Sequence, residues 1–119
     1  MKSILIVDDE VDITDTFSML FELHDFKVVL ASQGRQALEV LQDFTPDVIL
    51  SDCMMPLMDG LELCTQVKSA PSTAHIPFIL MSASPKQHDL SSVRYDLFLQ
   101  KPFVFNDLLD KVTALLNKH

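Results

Sequence analysis

The chain has 119 residues, with nine Lys and Arg against 17 Asp and Glu for a net charge of −8, and no apolar run approaches the roughly 20 residues needed to cross a bilayer. That length suits one domain with one core, residues 1–119, with no effector domain expected in this chain. The acidic balance disfavours direct binding of nucleic acid or an anionic membrane.

The N-terminus meets acids too early for a secretory signal, so the expected location is the cytoplasm, where Cys53 and Cys64 stay reduced. His24, His75, His88 and His119 fall in no HExxH arrangement and no CxxC accompanies them, which argues against zinc.

The first apolar run, "ILIV" at 4–7, is continuous rather than alternating, the pattern of a strand buried on both faces. It runs into Asp8, Asp9 and Glu10. Like charges repel there, and an acid ending a buried strand loses hydration; a cation would offset both costs. Ile13, Phe17, Leu20, Phe21 and His24 then recur along one helical face.

A second strand is predicted at 27–31. A helix follows from Gln33 to Phe44, with Ser32 as its cap and Ala37, Val40, Leu41 and Phe44 inward. The third strand, 47–51, precedes a helix that begins near Gly60 and turns Leu61, Cys64 and Val67 inward. The fourth strand is 77–82. Residues 84–96, with Ser84 as cap, Pro85 at the first helical position and only Leu90 and Val93 as an apolar face, predict a short or irregular fourth helix. A fifth strand at 97–100 leads to a last helix with Asn106 as N-cap and Leu108, Leu109, Val112, Leu115 and Leu116 along one side.

Five strand–helix alternations imply an α/β fold, an open five-stranded parallel sheet covered on both sides by right-handed crossovers. Sites in such sheets form beyond the carboxyl ends of the strands, at the switch in strand order. The residues at those ends are Asp8 and Asp9, Asp52, Ser82 and Lys101. Three carboxylates, a hydroxyl and an ammonium on one rim fit phosphoryl chemistry. Hard oxygen ligands suit Mg²⁺, one carboxylate can act as nucleophile to form an acyl phosphate, and Lys101 and Ser82 can stabilise the phosphoryl oxygens. Glu10 reads as a solvated residue at the rim. Asp59 and Gly60 read as turn chemistry, and Met54, Met55 and Met58 as packing around the loop.

"ILIVDDE", "DVILSDCMMPLMDG", the Ser-Ala pair at 82–83 and "FLQKPF" at 98–103 resemble the receiver domain of two-component response regulators, of the chemotaxis-regulator-like kind, and the likeness spans the chain. The resemblance implies a doubly wound, flavodoxin-like sheet. It makes Asp52 the phosphoacceptor. Asp9 would coordinate Mg²⁺ directly, Asp8 largely through water, and the Met54 backbone carbonyl would add a further ligand. Lys101 would pair with the acceptor and then its phosphate, Ser82 would be the switch hydroxyl, Phe98 the rotating aromatic, and Lys101–Pro102 a cis bond. The implied partner is a histidine kinase or phosphotransfer protein that donates from phosphohistidine. The domain would catalyse only its own phosphorylation and dephosphorylation, and would not be a metabolic enzyme.

Ser82 and Lys101 are 19 positions apart (101 − 82), a few fewer than the family usually has, and "VRYDLF" stands where it usually has Gly-Ala, so an altered output surface or switch is expected. An apolar Met54 cannot orient a water, which predicts slow dephosphorylation; Ser84 is the other residue the family places near that water. Phe98, lacking a hydroxyl, is expected to populate both rotamers before phosphorylation. Two alternatives carry different tests. A pseudo-receiver would bind partners without phosphorylation, and a haloacid-dehalogenase-type Mg²⁺ phosphohydrolase would turn over a generic phosphate ester.

Overall fold

A computed structural model describes residues 1–83 and 90–118. Five parallel strands, β1 (Lys2–Val7), β2 (Phe26–Ala31), β3 (Val48–Asp52), β4 (Phe78–Ser82) and β5 (Leu97–Gln100), form one sheet in the order β2-β1-β3-β4-β5. The helices are α1 (Val11–Leu23), α2 (Gly34–Asp43), α3 (Gly60–Ser69) and α4 (Phe105–Lys118). The doubly wound parallel sheet foreseen from the sequence is therefore present.

Continuous apolar runs make the central strands because both faces are covered. Leu5, Val7, Ile49, Phe78 and Leu80 point to one side, where Ala37 of α2 and Leu63, Cys64 and Val67 of α3 close over them. Ile4, Ile6, Val48, Leu50, Ile79 and Met81 point to the other, against Phe21 of α1 and Leu108 and Val112 of α4. The two-residue period of the pleat sorts one unbroken run into two cores. Strand order reverses at the β1–β3 pair, and the register Val7↔Ser51 brings the carboxyl ends of both strands to the same level.

Several local expectations change. Ser32 does not cap α2; Gln33 does so with extended backbone, and Gln36 reaches back to accept the Ser32 amide at 2.7 Å and its hydroxyl at 2.9 Å. The Ser32 hydroxyl is thereby engaged as a donor to Gln36, which reaches back to the backbone ahead of the helix in the manner of the second half of a capping box. Leu61 packs against the core as expected, though only half-buried, and Leu63 joins Cys64 and Val67 as a fully buried residue of α3. Helix α4 starts one residue before Asn106, at Phe105, whose ring packs on Phe21 at 4.9 Å and pulls the first turn inward. His24 is exposed and closes α1 as its C-cap. Of the expected fourth helix, Ser84, Pro85 and the rest of 84–89 lie outside the described residues, and 90–96 carry a turn with no helix.

Candidate functional site

Where β1 ends, the Asp8 amide still donates to the Ala31 carbonyl at 3.1 Å, so its side chain projects from a fixed backbone. That side chain is fully buried, and its Oδ1 accepts the Glu10 amide at 2.9 Å. On the neighbouring strand, β3 ends in buried Asp52. The turn behind Asp52 is tight: Gly60 donates its amide to the Cys53 carbonyl at 2.9 Å, and a Cβ on Gly60 would lie 2.1 Å from the Asp52 carbonyl oxygen. Only glycine allows that approach. Asp59 caps α3 by accepting the Glu62 amide at 2.9 Å.

Lys101 enters from the far edge. Its amide donates to the Ser82 carbonyl at 2.9 Å, tying the end of β5 to the end of β4, and the Lys101–Pro102 bond is cis, as the family resemblance implied. Its Nζ lies 3.3 Å from Asp8 Oδ2, 3.3 Å from Asp52 Oδ1 and 3.8 Å from Glu10 Oε1. Asp9, Glu10, Asp52, Met54, Ser82, Ala83 and Lys101 line one cavity of about 300 Å³. A second cavity of about 380 Å³, between α1 and the Pro102 turn, is lined mainly by Ile13, Phe17, Pro102 and Phe103 and offers an apolar wall rather than phosphoryl handles.

Burial raises the Asp8 carboxyl above its usual range, against the Glu10 amide and Lys101, which pull it down. Asp52 is raised first by burial and then by repulsion from Asp8, with Lys101 opposing. For Lys101, burial alone would lower the ammonium, but Asp8 and Asp52 together override it and hold it above the usual lysine range. Three carboxylates thus share one ammonium at this rim, and burial works against the charge on the two deepest.

The strand-end residues foreseen from the sequence meet here. Asp8, Asp52, Ser82 and Lys101 converge, and Asp9 lines the same cavity from an exposed position. Glu10 is the member that reading the sequence undervalued: oxygens of Asp8, Glu10 and Asp52 lie within 4.8 Å of one another, and that group does not include Asp9. Three carboxylate oxygens already gathered round an ammonium are a donor set that fits a hard divalent ion. Met55 and Met58 are buried packing, whereas Met54 is 56% exposed and faces the cavity. Phe98 is half-buried, its ring edge-on to Tyr95 at 6.2 Å.

Comparison with known proteins decides what this rim belongs to. Residues 4–113 match the family model described as "Response regulator receiver domain". The chain belongs to this family. Receiver-bearing relatives include Response regulator MprA of Mycolicibacterium vanbaalenii, 31% identical over 97% of this chain and 50% of that protein. The phosphate regulon transcriptional regulatory protein PhoB of Pseudomonas aeruginosa is 32% identical over 98% of this chain and 52% of its own. The chain spans about half the length of the curated relatives it matches. Among solved structures, the signal receiver domain of a signal transduction histidine kinase from Syntrophus aciditrophicus superposes with a TM-score of 0.93 at 31% identity, covering 99% of this chain and 92% of that one. Response regulator protein TrrA of Thermotoga maritima, solved in complex with Mg²⁺-BeF, superposes with a TM-score of 0.86 at 31% identity, covering 97% and 99%. As a receiver domain, the chain has an acidic rim of the kind that can hold a metal ion. Among the described residues, no helix is long and apolar enough to cross a membrane.

Proposed function

We propose that this receiver domain is a phosphorylation-activated switch of the cytoplasm: Asp52 accepts a phosphoryl group from the phosphohistidine of a histidine kinase or phosphotransfer protein, with Mg²⁺ as cofactor. The observation that carries this reading is Asp52 buried at the rim with its Oδ1 3.3 Å from Lys101 Nζ, beside a second buried carboxylate and an open cavity. The Mg²⁺-BeF complex of the Thermotoga relative supports the same chemistry in a related domain.

An Asp52 oxygen attacks phosphorus, the P–N bond breaks, and the electron pair leaves on the imidazole nitrogen, which takes a proton from solvent. Burial helps, because a poorly hydrated carboxylate sheds less water to reach phosphorus. Asp8, Asp9, Asp52 and the Met54 carbonyl would hold the divalent ion, which supplies positive charge against the phosphoryl oxygens. Lys101 follows the new negative charge onto the phosphoryl group, and Ser82 donates its hydroxyl there. That movement frees space for Phe98 to turn inward, so that the phosphoryl state is read at the β5 surface. No metabolite is turned over; the domain acts on its own carboxylate.

Incubation with acetyl phosphate and Mg²⁺ tests this by intact mass. One added phosphoryl group is expected, absent when Mg²⁺ is chelated and absent in Asp52→Asn. No addition to the parent would leave a pseudo-receiver, and steady hydrolysis of a generic phosphate ester would instead favour a phosphohydrolase.

A further inference from the structure

Lys101 sits where a cation is wanted, and Glu10 gives it somewhere else to go. Among the described residues the carboxylates within 4.0 Å of Nζ are Asp8, Asp52 and Glu10. They differ in character. Asp8 and Asp52 are buried, with side chains 0% and 8% exposed, whereas the Glu10 side chain is 60% exposed and stands at the longest distance, 3.8 Å. The backbone of Glu10 is nevertheless fixed: its amide donates to Asp8 Oδ1, and its carbonyl accepts from Ile13 and Thr14 at 3.1 Å each in the first turn of α1. Glu10 is an exposed carboxylate on a hydrogen-bonded backbone, next to both buried acids.

We infer that Glu10 is the positioning residue that receives the Lys101 ammonium when a divalent cation takes the oxygens of Asp8 and Asp52. This rests on the reading of the rim as a Mg²⁺-dependent phosphoryl site. A divalent ion and an ammonium cannot both draw on two buried carboxylates at close range without strong repulsion, so loading the ion displaces Nζ. The Lys101 side chain is only 16% exposed, so full release to water would draw it out of a mostly buried position. A short swing to Glu10 keeps the charge paired and keeps Nζ beside Asp52, from which it can move back onto the phosphoryl oxygens. Lys101 thus alternates between two partners.

Mg²⁺ affinity, measured by calorimetry on the whole chain, separates this role from that of an ordinary nearby charge through a double-mutant cycle. Glu10→Gln is expected to weaken Mg²⁺ binding roughly tenfold, the scale of a lost supporting partner. In a Lys101→Met background, where no ammonium needs a refuge, the same substitution should change affinity by no more than about twofold. Equal losses in both backgrounds would make Glu10 a direct ligand or a plain charge and overturn the inference, as would no loss in the parent. Should Lys101→Met fold poorly, the ¹⁵N resonance of the Lys101 ammonium gives an independent reading. With Mg²⁺ it should stay protected from solvent exchange in the parent and lose that protection in Glu10→Gln; unchanged protection would overturn the role. A parent that binds no Mg²⁺ at all would remove the proposed function itself, an outcome distinct from a parent that binds Mg²⁺ and shows no coupling.

Discussion

Two lysines at opposite ends of the sheet, both mostly buried, show what separates a structural charge from a functional one. At the amino-terminal ends of β4 and β5, Lys68 donates to the carbonyls of Ala74 at 3.3 Å and Ile76 at 2.8 Å and to Asp96 Oδ2 at 2.8 Å. Three donors meet three acceptors, one of them a single carboxylate, and charge and geometry are both satisfied. Asp96 is shared in turn, accepting the Phe78 amide at 2.7 Å, and Arg94 donates to the Lys68 carbonyl at 2.9 Å. At the carboxyl-terminal rim, Lys101 faces three carboxylates that outnumber it. The first arrangement pairs every Lys68 donor and ties the end of α3 to the segments that lead into β4 and β5. The second sets three carboxylates against one ammonium, a balance that the proposed cation and phosphoryl group would each change. Rigidity at one end lets small charge changes at the other have a defined outcome.

The sharpest way to break this comparison is to remove the ammonium from the saturated end. Lys68→Met leaves two carbonyls without their donor and takes the ion pair from Asp96, which is partly exposed and keeps the Phe78 amide, and should cost about 2 kcal/mol of stability. Urea midpoints report the loss. Phosphorylation by acetyl phosphate, measured well below the melting temperature, should be retained, because no group of the rim is touched. Loss of phosphorylation in a folded Lys68→Met chain would show that the two ends are not separable.

The opposite sign is expected at the rim. Asp52→Asn removes one of the crowded acids and should stabilise the metal-free domain at neutral pH by about 1 kcal/mol. The pH dependence follows from the same crowding. Asp8 and Asp52 have folded-state pKa values raised above 3.8, chiefly by burial, so the folded chain holds protons more tightly than the unfolded one. Their contribution therefore makes stability fall as pH rises from about 3.8 through the folded values, and this penalty is fully present above them. Urea titrations across that window should show a shallower fall in Asp52→Asn. Mg²⁺ should reverse the penalty near neutrality and do little below the window, where the carboxyls are protonated. A parent whose stability rises steadily with pH through that window would contradict the picture of a strained, poorly neutralised rim.

The two ends also differ in how far the sequence revealed them. Asp8, Asp9, Asp52, Ser82 and Lys101 were legible because each lies at or just past the end of a mainly apolar strand, and parallel strands put all such residues on one rim. The central strands were legible for the same reason, since burial on both faces leaves no polar residue in Ile4–Val7 or Val48–Leu50. The Lys68–Asp96 pair was not. Its partners are carbonyls of a loop and an acid 28 residues away, and no periodicity marks them. Ser32 does not cap α2 because its hydroxyl and amide both donate to Gln36 one turn inside, so the composition of a helix start names candidates without choosing among them. Glu10 was discounted as an exposed acid; only its fixed backbone, invisible in sequence, keeps its carboxylate beside Asp8.

A smaller effect bears on how long the rim stays tipped. Met54 is half-exposed over the cavity and offers no hydrogen bond to a hydrolytic water, so the phosphorylated state should be long-lived. Met54→Asn supplies an amide there and should speed loss of phosphate by a factor of several, read from the decay of the phosphorylated mass after the donor is removed. The Lys68→Met chain should keep the parent's decay rate. An unchanged rate in Met54→Asn would take this side chain out of the account of lifetime.

The smallest expected signal joins the two ends directly. Tyr95 is the one tyrosine in a chain without tryptophan, so its emission is observed without interference. It precedes Asp96, and so sits on the rigid side, while its ring meets Phe98 edge-on at 6.2 Å on the strand that leads to Lys101. If phosphorylation turns Phe98 inward, Tyr95 loses an aromatic neighbour while its own backbone stays clamped through Asp96. A modest change in tyrosine emission should therefore accompany Mg²⁺-dependent phosphorylation, vanish in Asp52→Asn, and be absent in Phe98→Ala, where the neighbour is already gone. Emission that shifts equally in Phe98→Ala would mean that the amino-terminal clamp itself moves, and the division between a fixed end and a switching end would have to be abandoned.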